Sequence, residues 1–284
     1  MKSQIAAFVF ALLFAAGSLP AHAETLLERG RYLAETIGAC GNCHTPKNTR
    51  GQPIAAKAYA GGFVIPDEMF TAVAANITPD KETGIGAWTD AQIARAIREG
   101  IRPDGSVVGP IMPIELYRKL SDRDVQAIVA YLRSLKPVRN KVAKSVYKFP
   151  LPKSYGPPVT SVPEVPRTDK VAYGAYLAGP IGHCIECHTP LVRGRRDWSR
   201  TGVGGQPFKT PLGVAVARNI TPHPDYGLGT WTKAQIERAI RHGVSKDGSR
   251  LLPPMAFAWY AKIAPADMEA IIAYLGSLKP QVTP

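Results

Sequence analysis

The four cysteines of the chain stand in two copies of one five-residue pattern, C-x-x-C-H. Two thiols three positions apart can bond covalently to the two vinyl groups of one porphyrin, and the adjacent imidazole is then held against the iron. Each copy therefore has the residue types that attach a c-type haem. The predicted covalent attachment residues are Cys40, Cys43, Cys184 and Cys187, and the predicted axial histidines are His44 and His188.

Other uses of paired cysteines fit this sequence less well. Four cysteines in an exported chain would by default suggest two disulfides, but that reading gives no role to the histidine in both patterns. A thioredoxin-like pair would not need the histidine and would lie in a βαβ context, and a zinc site would need a further ligand pair at matching spacing. We therefore predict two covalently attached c-type haems.

An internal repeat points to the second axial ligand of each iron. The haem patterns lie 144 residues apart, and much of the chain downstream repeats at an offset of 143, including the Asn-Ile-Thr-Pro stretches at 76–79 and 219–222. Only one methionine pair survives the offset, Met112 with Met255, whereas none of the spare histidines is repeated. A thioether is an established partner of histidine in cytochromes c. We predict His44 with Met112 and His188 with Met255.

Two other methionines have apolar counterparts in the repeat. Met69 corresponds to Leu212, and Met268 corresponds to Val125. An apolar residue of similar size replaces a methionine most readily where the side chain only fills space. Both are therefore predicted to pack in the core.

Apolar periodicity predicts helices around each of these sites. Helices are expected before the haem patterns, over 26–37 and 171–178, and again where Thr89 and Thr232 each begin a capping box. The clearest pattern repeats over 125–135 and 268–278. No segment alternates long enough to indicate a sheet. We expect an all-α fold, with a few helices wrapped around each covalent haem.

The length of 284 residues suits two domains of common size. We predict two tandem cytochrome c domains, at 24–140 and 167–284. Between them, residues 141–166 contain six prolines and should form an extended, semi-rigid linker that keeps the two cores separate.

Residues 1–23 have the features of a cleaved secretory signal peptide. Lys2 gives a cationic start, an apolar run follows over 5–16, and small residues end the segment at Ala21-His22-Ala23. That run is too short to span a bilayer comfortably. We expect the mature protein in the periplasm, with peripheral attachment to the inner membrane left open.

The chain is strongly basic, with 35 lysine and arginine residues against 22 acidic ones. Loss of the leader, which contains Lys2, lowers the formal charge from +13 to +12. Such a charge favours an acidic protein surface or an anionic membrane face as partner. Nucleic acid is not expected, because the chain has no nucleic-acid-binding motif and is predicted to be exported.

The whole set of motifs resembles the c-type cytochrome subunits of bacterial membrane-associated dehydrogenases that oxidise alcohols, aldehydes, gluconate or sorbitol. The resemblance rests on both haem patterns, the Asn-Ile-Thr-Pro stretches, the Gly-x-Trp-Thr helix starts, the two methionine loops and the Tyr-Leu-x-Ser-Leu-Lys-Pro endings. It implies that a catalytic dehydrogenase partner delivers electrons to the haems, which pass them towards a quinone or terminal oxidase. Those subunits usually carry three haem domains, and this chain carries two patterns.

Three functional hypotheses follow. The first is an electron-transfer subunit without substrate chemistry of its own, because an iron with six ligands does not readily bind substrate. The second is a di-haem enzyme such as a peroxidase, in which one iron must offer an open or labile position. The third is a periplasmic shuttle without a fixed partner, which would use the same residues as the subunit.

Overall fold

The computed structural model describes residues 23–210 and 213–283. All but the last residue of the predicted signal peptide therefore lies outside the described residues. Within them, no helix is long and apolar enough to cross a membrane.

The first half of the described chain is built on five helices. α1 is Leu26–Glu35, α2 is the haem-pattern helix Cys40–His44, α3 is Asp90–Glu99, α4 is Ile114–Tyr117 and α5 is Asp122–Ser134. Thr89 caps α3 through the predicted capping box, since its side chain accepts from the backbone of Gln92. α1 packs along α5, α3 packs against α5, and α4 packs against α3.

The second half repeats this order with α6 Lys170–Tyr176, α7 Cys184–Cys187, α8 Lys233–His242, α9 Phe257–Tyr260 and α10 Pro265–Ser277. α6 packs along α10, as α1 does along α5. The helix predicted over 171–178 changes its winding before its expected end, because residues 177–181 form a π-helical turn that contains Pro180. Proline lacks an N–H, so ordinary α-helical bonding cannot continue through it.

The all-α expectation holds only approximately, because three small sheets are present in the described residues. β1 Val64–Pro66, β2 Phe70–Val73 and β3 Val146–Tyr147 form one antiparallel sheet. β4 Leu191–Val192 pairs with β5 Arg195–Arg196, and β6 Pro207–Thr210 pairs with β7 Gly213–Val216. Strands of two to four residues are too short to show the alternation that identifies strands in a sequence.

Glycine allows the long helices of each half to approach closely. A Cβ on Gly30 of α1 would lie 1.8 Å from the carbonyl oxygen of Ala127 on α5. In the second half, a Cβ on Gly174 of α6 would lie 1.9 Å from the carbonyl oxygen of Ala270 on α10. The two helix pairs therefore cross backbone against backbone at equivalent positions.

The expectation of separate cores is wrong. Buried apolar side chains of both halves form one contiguous cluster, which includes Leu33 and Tyr131 from the first half and Leu177 and Met268 from the second. A periodic pattern shows which face of a helix is apolar but does not show which neighbour covers it.

Two tyrosines make reciprocal hydrogen bonds between the halves. Tyr32 of α1 donates to Asp267 at 2.8 Å and accepts from the backbone N–H of Ala264 at 3.0 Å, where α10 begins. Tyr176 of α6 donates to Asp124 at 2.7 Å and accepts from the N–H of Ser121 at 3.0 Å, where α5 begins. The first helix of each half thus binds the start of the last helix of the other.

The proline-rich linker lies along the first half. Its strand β3 completes the sheet of β1 and β2. Further along, the backbone N–H of Val159 donates to Glu99 of α3, and that of Val162 donates to Asp122 at the start of α5. Residues 141–166 contain no helix, and these contacts fix them to the first half at several points.

Candidate functional site

Each haem pattern forms one short helix, which brings its two cysteines to one turn. α2 and α7 follow Ala39 and His183, whose φ values of 44° and 41° lie in the left-handed region. None of the four thiols is paired in a disulfide. The spacing and conformation leave both sulfurs of each pattern available to the same bound group.

The two pattern histidines are oriented in the same way. Nδ1 of His44 lies 2.8 Å from the carbonyl oxygen of Ala75, and Nδ1 of His188 lies 2.6 Å from that of Arg218. A carbonyl oxygen can only accept, so Nδ1 carries the proton and Nε2 of the neutral ring keeps its lone pair. This arrangement is typical of metal-binding histidines, whose second nitrogen donates to a backbone carbonyl.

Burial favours the neutral form that metal binding requires. It lowers the pKa of both histidines, against the opposing effect of the hydrogen bond to the carbonyl. Burial also raises the pKa of Cys40 to about 12 and that of Cys184 to about 11. A raised thiol pKa is unlike that of an activated redox cysteine, whose thiolate form is favoured.

The Asn-Ile-Thr-Pro stretches hold the carbonyls that the histidines bind. Buried Asn76, directly after Ala75, accepts from the N–H and hydroxyl of Thr78 at 3.0 and 2.7 Å and donates to the carbonyl of Val138 at 2.8 Å. Asn219 follows Arg218 in the same way, and its amide donates to Gln281 at 2.7 Å. Each asparagine thus ties the histidine-binding loop to the segment that follows the last helix of its half.

A glycine pair fixes the same loop from the other side. The N–H of Gly61 donates to the carbonyl of His44 at 2.7 Å, and that of Gly204 donates to His188 at 2.8 Å. Both glycines have positive φ, and a Cβ on either would lie within 2.5 Å of the histidine-binding loop. Only glycine combines that conformation with so close an approach.

The predicted methionine ligands occupy equivalent loops. Met112 lies two residues before α4 and Met255 two residues before α9, and both are partly buried against the apolar cluster. The backbone N–H of Ile114 bonds to the carbonyl of Met112 at 2.7 Å, and that of Phe257 bonds to Met255 at 3.1 Å. Their assignment as axial ligands stays a prediction.

Of the two predicted core methionines, one is correct. Met268 is 1% exposed and lies within the apolar cluster, whereas Met69 is 50% exposed. Met69 lies in the turn between β1 and β2, where its backbone N–H bonds to Asp67. The repeat identified Met69 as replaceable, but replaceability does not distinguish a core position from a surface one.

Aromatic side chains from each half reach the haem-pattern segment of the other. A Cβ on Gly41 would lie 3.5 Å from the ring of Trp259 in α9, so that ring lies directly against the first pattern. Tyr117 of α4 packs edge-on against His183, the residue before the second pattern, at a centroid distance of 6.2 Å. The two haem-pattern segments are therefore near the same interface.

Several of these contacts were not predicted from the sequence. Ala75 and Arg218 act through backbone oxygens, so their residue types carry no signal. The repeated asparagines and glycines did carry one, because they recur at fixed offset without forming part of an apolar face. Trp259 had no signal of this kind, since its counterpart is Leu116.

The residues present fit a covalently bound haem. Two free thiols on one helical turn can form the two thioether bonds to the vinyl groups, and an adjacent imidazole with Nε2 free can bind the iron. In the described residues, no three side chains of histidine, cysteine, aspartate or glutamate cluster as a separate metal site would require.

Known proteins with similar sequences include cytochromes c. The model of the cytochrome c family matches residues 27–136. The chain is 32% identical to the cytochrome c subunit of a quinone-dependent alcohol dehydrogenase from Gluconacetobacter polyoxogenes, over 99% of this chain and 62% of that protein. It is 31% identical to the gluconate 2-dehydrogenase cytochrome c subunit of Pantoea cypripedii, over 86% of this chain and 57% of that protein.

The chain therefore spans less than two thirds of the length of those dehydrogenase subunits. A diheme cytochrome c-type protein of Cereibacter sphaeroides is 30% identical over 84% of this chain and 81% of its own length. Taken with the orientation of the two histidines, this similarity shows that the chain belongs to the cytochrome c family.

Proposed function

We propose that this chain is a periplasmic di-haem electron-transfer protein with no substrate chemistry of its own. The observation that carries the proposal is the repeated orientation of the pattern histidines, each with Nδ1 on a backbone carbonyl and Nε2 available to iron. The haem supplies one-electron redox chemistry when bound. The chain's own residues attach it, orient it and restrict water around it.

The same proposal includes two tandem haem domains and their ligands. Cys40 and Cys43 would attach one haem, and Cys184 and Cys187 the other. His44 with Met112 would be the axial ligands of one iron, and His188 with Met255 those of the other. The repeated order of helices, the equivalent methionine loops and the equivalent asparagine contacts support this pairing.

A dehydrogenase is the proposed electron donor. The relatives from Gluconacetobacter and Pantoea are named as cytochrome c subunits of alcohol and gluconate dehydrogenases. The formal charge of +12 that remains without the leader suits acidic surfaces on the donor and on the downstream acceptor of the respiratory chain. The cationic and apolar leader supports export to the periplasm, where cysteine-attached haems are compatible with an oxidising compartment.

Mild purification of the tagged protein from its own envelope fraction tests this proposal. Two covalent haems per chain are expected by intact mass and by haem absorbance, with one haem in a Cys184→Ala, Cys187→Ala double variant. Mass spectrometry of the co-purifying chains should identify a flavin-, quinone- or molybdenum-dependent dehydrogenase. Recovery of the cytochrome alone would favour a diffusing shuttle, and peroxide turnover at one iron would favour an enzyme.

A further inference from the structure

Two tyrosines of the linker contact the loop that carries Met112. The hydroxyl of Tyr155 donates to the carbonyl of Val108 at 2.8 Å. The hydroxyl of Tyr147 lies 1.9 Å from the position that a Cβ on Gly109 would take, so it rests directly on that glycine's backbone. Met112 follows three residues later, and its own N–H bonds to the carbonyl of Gly109 at 3.2 Å.

The other side of the same linker segment is anchored to the loop that orients His44. Strand β3 pairs with β2, with Tyr147 opposite Phe70 and Val146 opposite Thr71. The hydroxyl of Ser145 accepts from the N–H of Val73, the last residue of β2, at 2.9 Å. The histidine-binding carbonyl of Ala75 comes two residues after that strand. Residues 145–155, which we call the linker strap, therefore connect the histidine loop to the methionine loop.

The second methionine loop differs from the first at the position where Tyr147 rests. The residue equivalent to Gly109 is Leu252. A Cβ at position 109 would lie 1.9 Å from the Tyr147 hydroxyl, so the close approach of that hydroxyl requires glycine.

We propose that the linker strap positions the Met112 loop, so that Met112 resists displacement from its iron. The inference rests on the proposed function, in which both methionines are axial ligands. Displacing a methionine requires its loop to open, and opening the first loop also means breaking the contacts of Tyr147 and Tyr155. The strap raises the free energy of the state in which the Met112 loop is open, and it makes no hydrogen bond to the Met255 loop among the described residues.

Imidazole binding to the ferric holoprotein measures how readily each methionine is displaced. Imidazole competes with methionine for the sixth position, and the loss of the methionine-to-iron charge-transfer band reports the exchange at each iron. Met112→Ala and Met255→Ala assign the charge-transfer signals to the two irons, because each variant removes one of them.

Two substitutions, one in the strap and one in the Met112 loop, test whether the tyrosine contacts hold that loop closed. Tyr155→Phe deletes one hydrogen bond and should tighten imidazole binding at the first iron by about fivefold, as expected for one bond of ordinary strength. Gly109→Ala should act in the same direction, because its methyl group would displace Tyr147. In a Tyr147→Ala background the same glycine substitution should have little effect, because its nearest neighbours are all atoms of Tyr147.

Tyr226→Phe is the matched control, since this tyrosine is 54% exposed and lies in the second half. The inference would be overturned if Tyr155→Phe changed imidazole affinity at the second iron or at neither iron. It would also be overturned if Gly109→Ala had the same effect in the Tyr147→Ala background as in the wild type. None of these outcomes would contradict Met112 and Met255 as axial ligands. If Met112→Ala instead left both charge-transfer signals in place, the assignment in the proposed function would fail, and this inference with it.

Discussion

His44 and His188 each depend on a neighbour that has no reactive side chain. A backbone carbonyl fixes the tautomer and the ring direction, and a buried asparagine fixes the loop that presents the carbonyl. An imidazole so held has little freedom to rotate away from an iron. The same hydrogen bond also makes the free nitrogen a better electron donor to the metal.

Replacing Met112 by alanine should open the first iron to external ligands while both haems remain attached. The thioether would be lost, but both cysteine bonds and the axial histidine would remain. Carbon monoxide binding to the ferrous protein measures the opening, with about one site per chain expected in this variant. Met69→Ala is the control, because Met69 is 50% exposed and lies in a turn. Unchanged carbon monoxide binding in Met112→Ala would contradict the ligand assignment.

Asn76→Ala tests whether the asparagine holds the histidine loop. The substitution leaves the N–H of Thr78 without its acceptor, and an unsatisfied buried group costs about 1–3 kcal/mol. The Thr78 hydroxyl and the Val138 carbonyl still bond to each other at 3.3 Å, so we expect the free energy of unfolding to fall by about 1–3 kcal/mol in chemical denaturation. Exposed Asn48→Ala should cost less than about 1 kcal/mol. Similar losses in both variants would contradict a special role for Asn76.

The residue types of the candidate site could be read from the sequence, but their supports could not. Two patterns and one repeat were enough to predict four attachment cysteines and two axial histidines, and to select two methionines from five. A carbonyl from Ala75 or Arg218 leaves no trace in a sequence, because every residue has one. The exposed position of Met69 was equally hidden, since an apolar counterpart is compatible with surface and core alike.

At the scale of elements, local signals predicted the longer helices and missed the short helices and the strands. Thr89 and Thr232 form the expected capping boxes, and Pro265 begins α10 at the position where a helix tolerates proline. Among the strands, β3 depends on a partner far along the chain, since Val146 pairs with Thr71. Such pairing is set by tertiary contact, so a segment of two residues gives no local indication of it.

Glycine-to-alanine substitutions in one helix pair should have opposite effects. Gly174→Ala places a Cβ 1.9 Å from the carbonyl oxygen of Ala270, which must separate α6 from α10, so we expect a loss of about 2–4 kcal/mol. Gly276→Ala, near the end of α10, meets no atom within 4 Å and should stabilise the protein by up to about 1 kcal/mol. Thermal unfolding of both holoproteins measures the difference. If both substitutions changed the stability in the same direction, the backbone contact would not control helix packing.

At the scale of the whole molecule, the two halves share one apolar core and exchange tyrosines. The sequence predicted two similar halves and an extended linker between them, but no apolar pattern indicates that Tyr32 and Tyr176 face the opposite half. The reciprocal contacts are also unequal. Asp124 forms a buried ion pair with Arg29 at 2.7 Å in addition to its bond from Tyr176. Tyr173 replaces that arginine in the second half, where Asp267 depends on Tyr32.

This inequality ranks the two tyrosines by their contribution to stability. Tyr32→Phe removes the acceptor of the Ala264 N–H and the one side-chain donor that buried Asp267 has among the described residues, so we expect a loss of about 2–4 kcal/mol. Tyr176→Phe should cost about 1–2 kcal/mol, because Arg29 still satisfies Asp124.

Chemical denaturation of the holoprotein, followed by far-UV circular dichroism, measures both losses. Tyr226→Phe is the control and should change little, because its ring is 54% exposed. If Tyr176→Phe proved the more damaging, the arginine would not compensate for the lost hydroxyl. Equal and small losses in both would instead mean that apolar contact alone joins the halves. A larger loss in Tyr32→Phe than in Tyr176→Phe would mean that the hydrogen bonds at the two helix starts fix how one half packs on the other. The same packing places Trp259 against the first haem pattern.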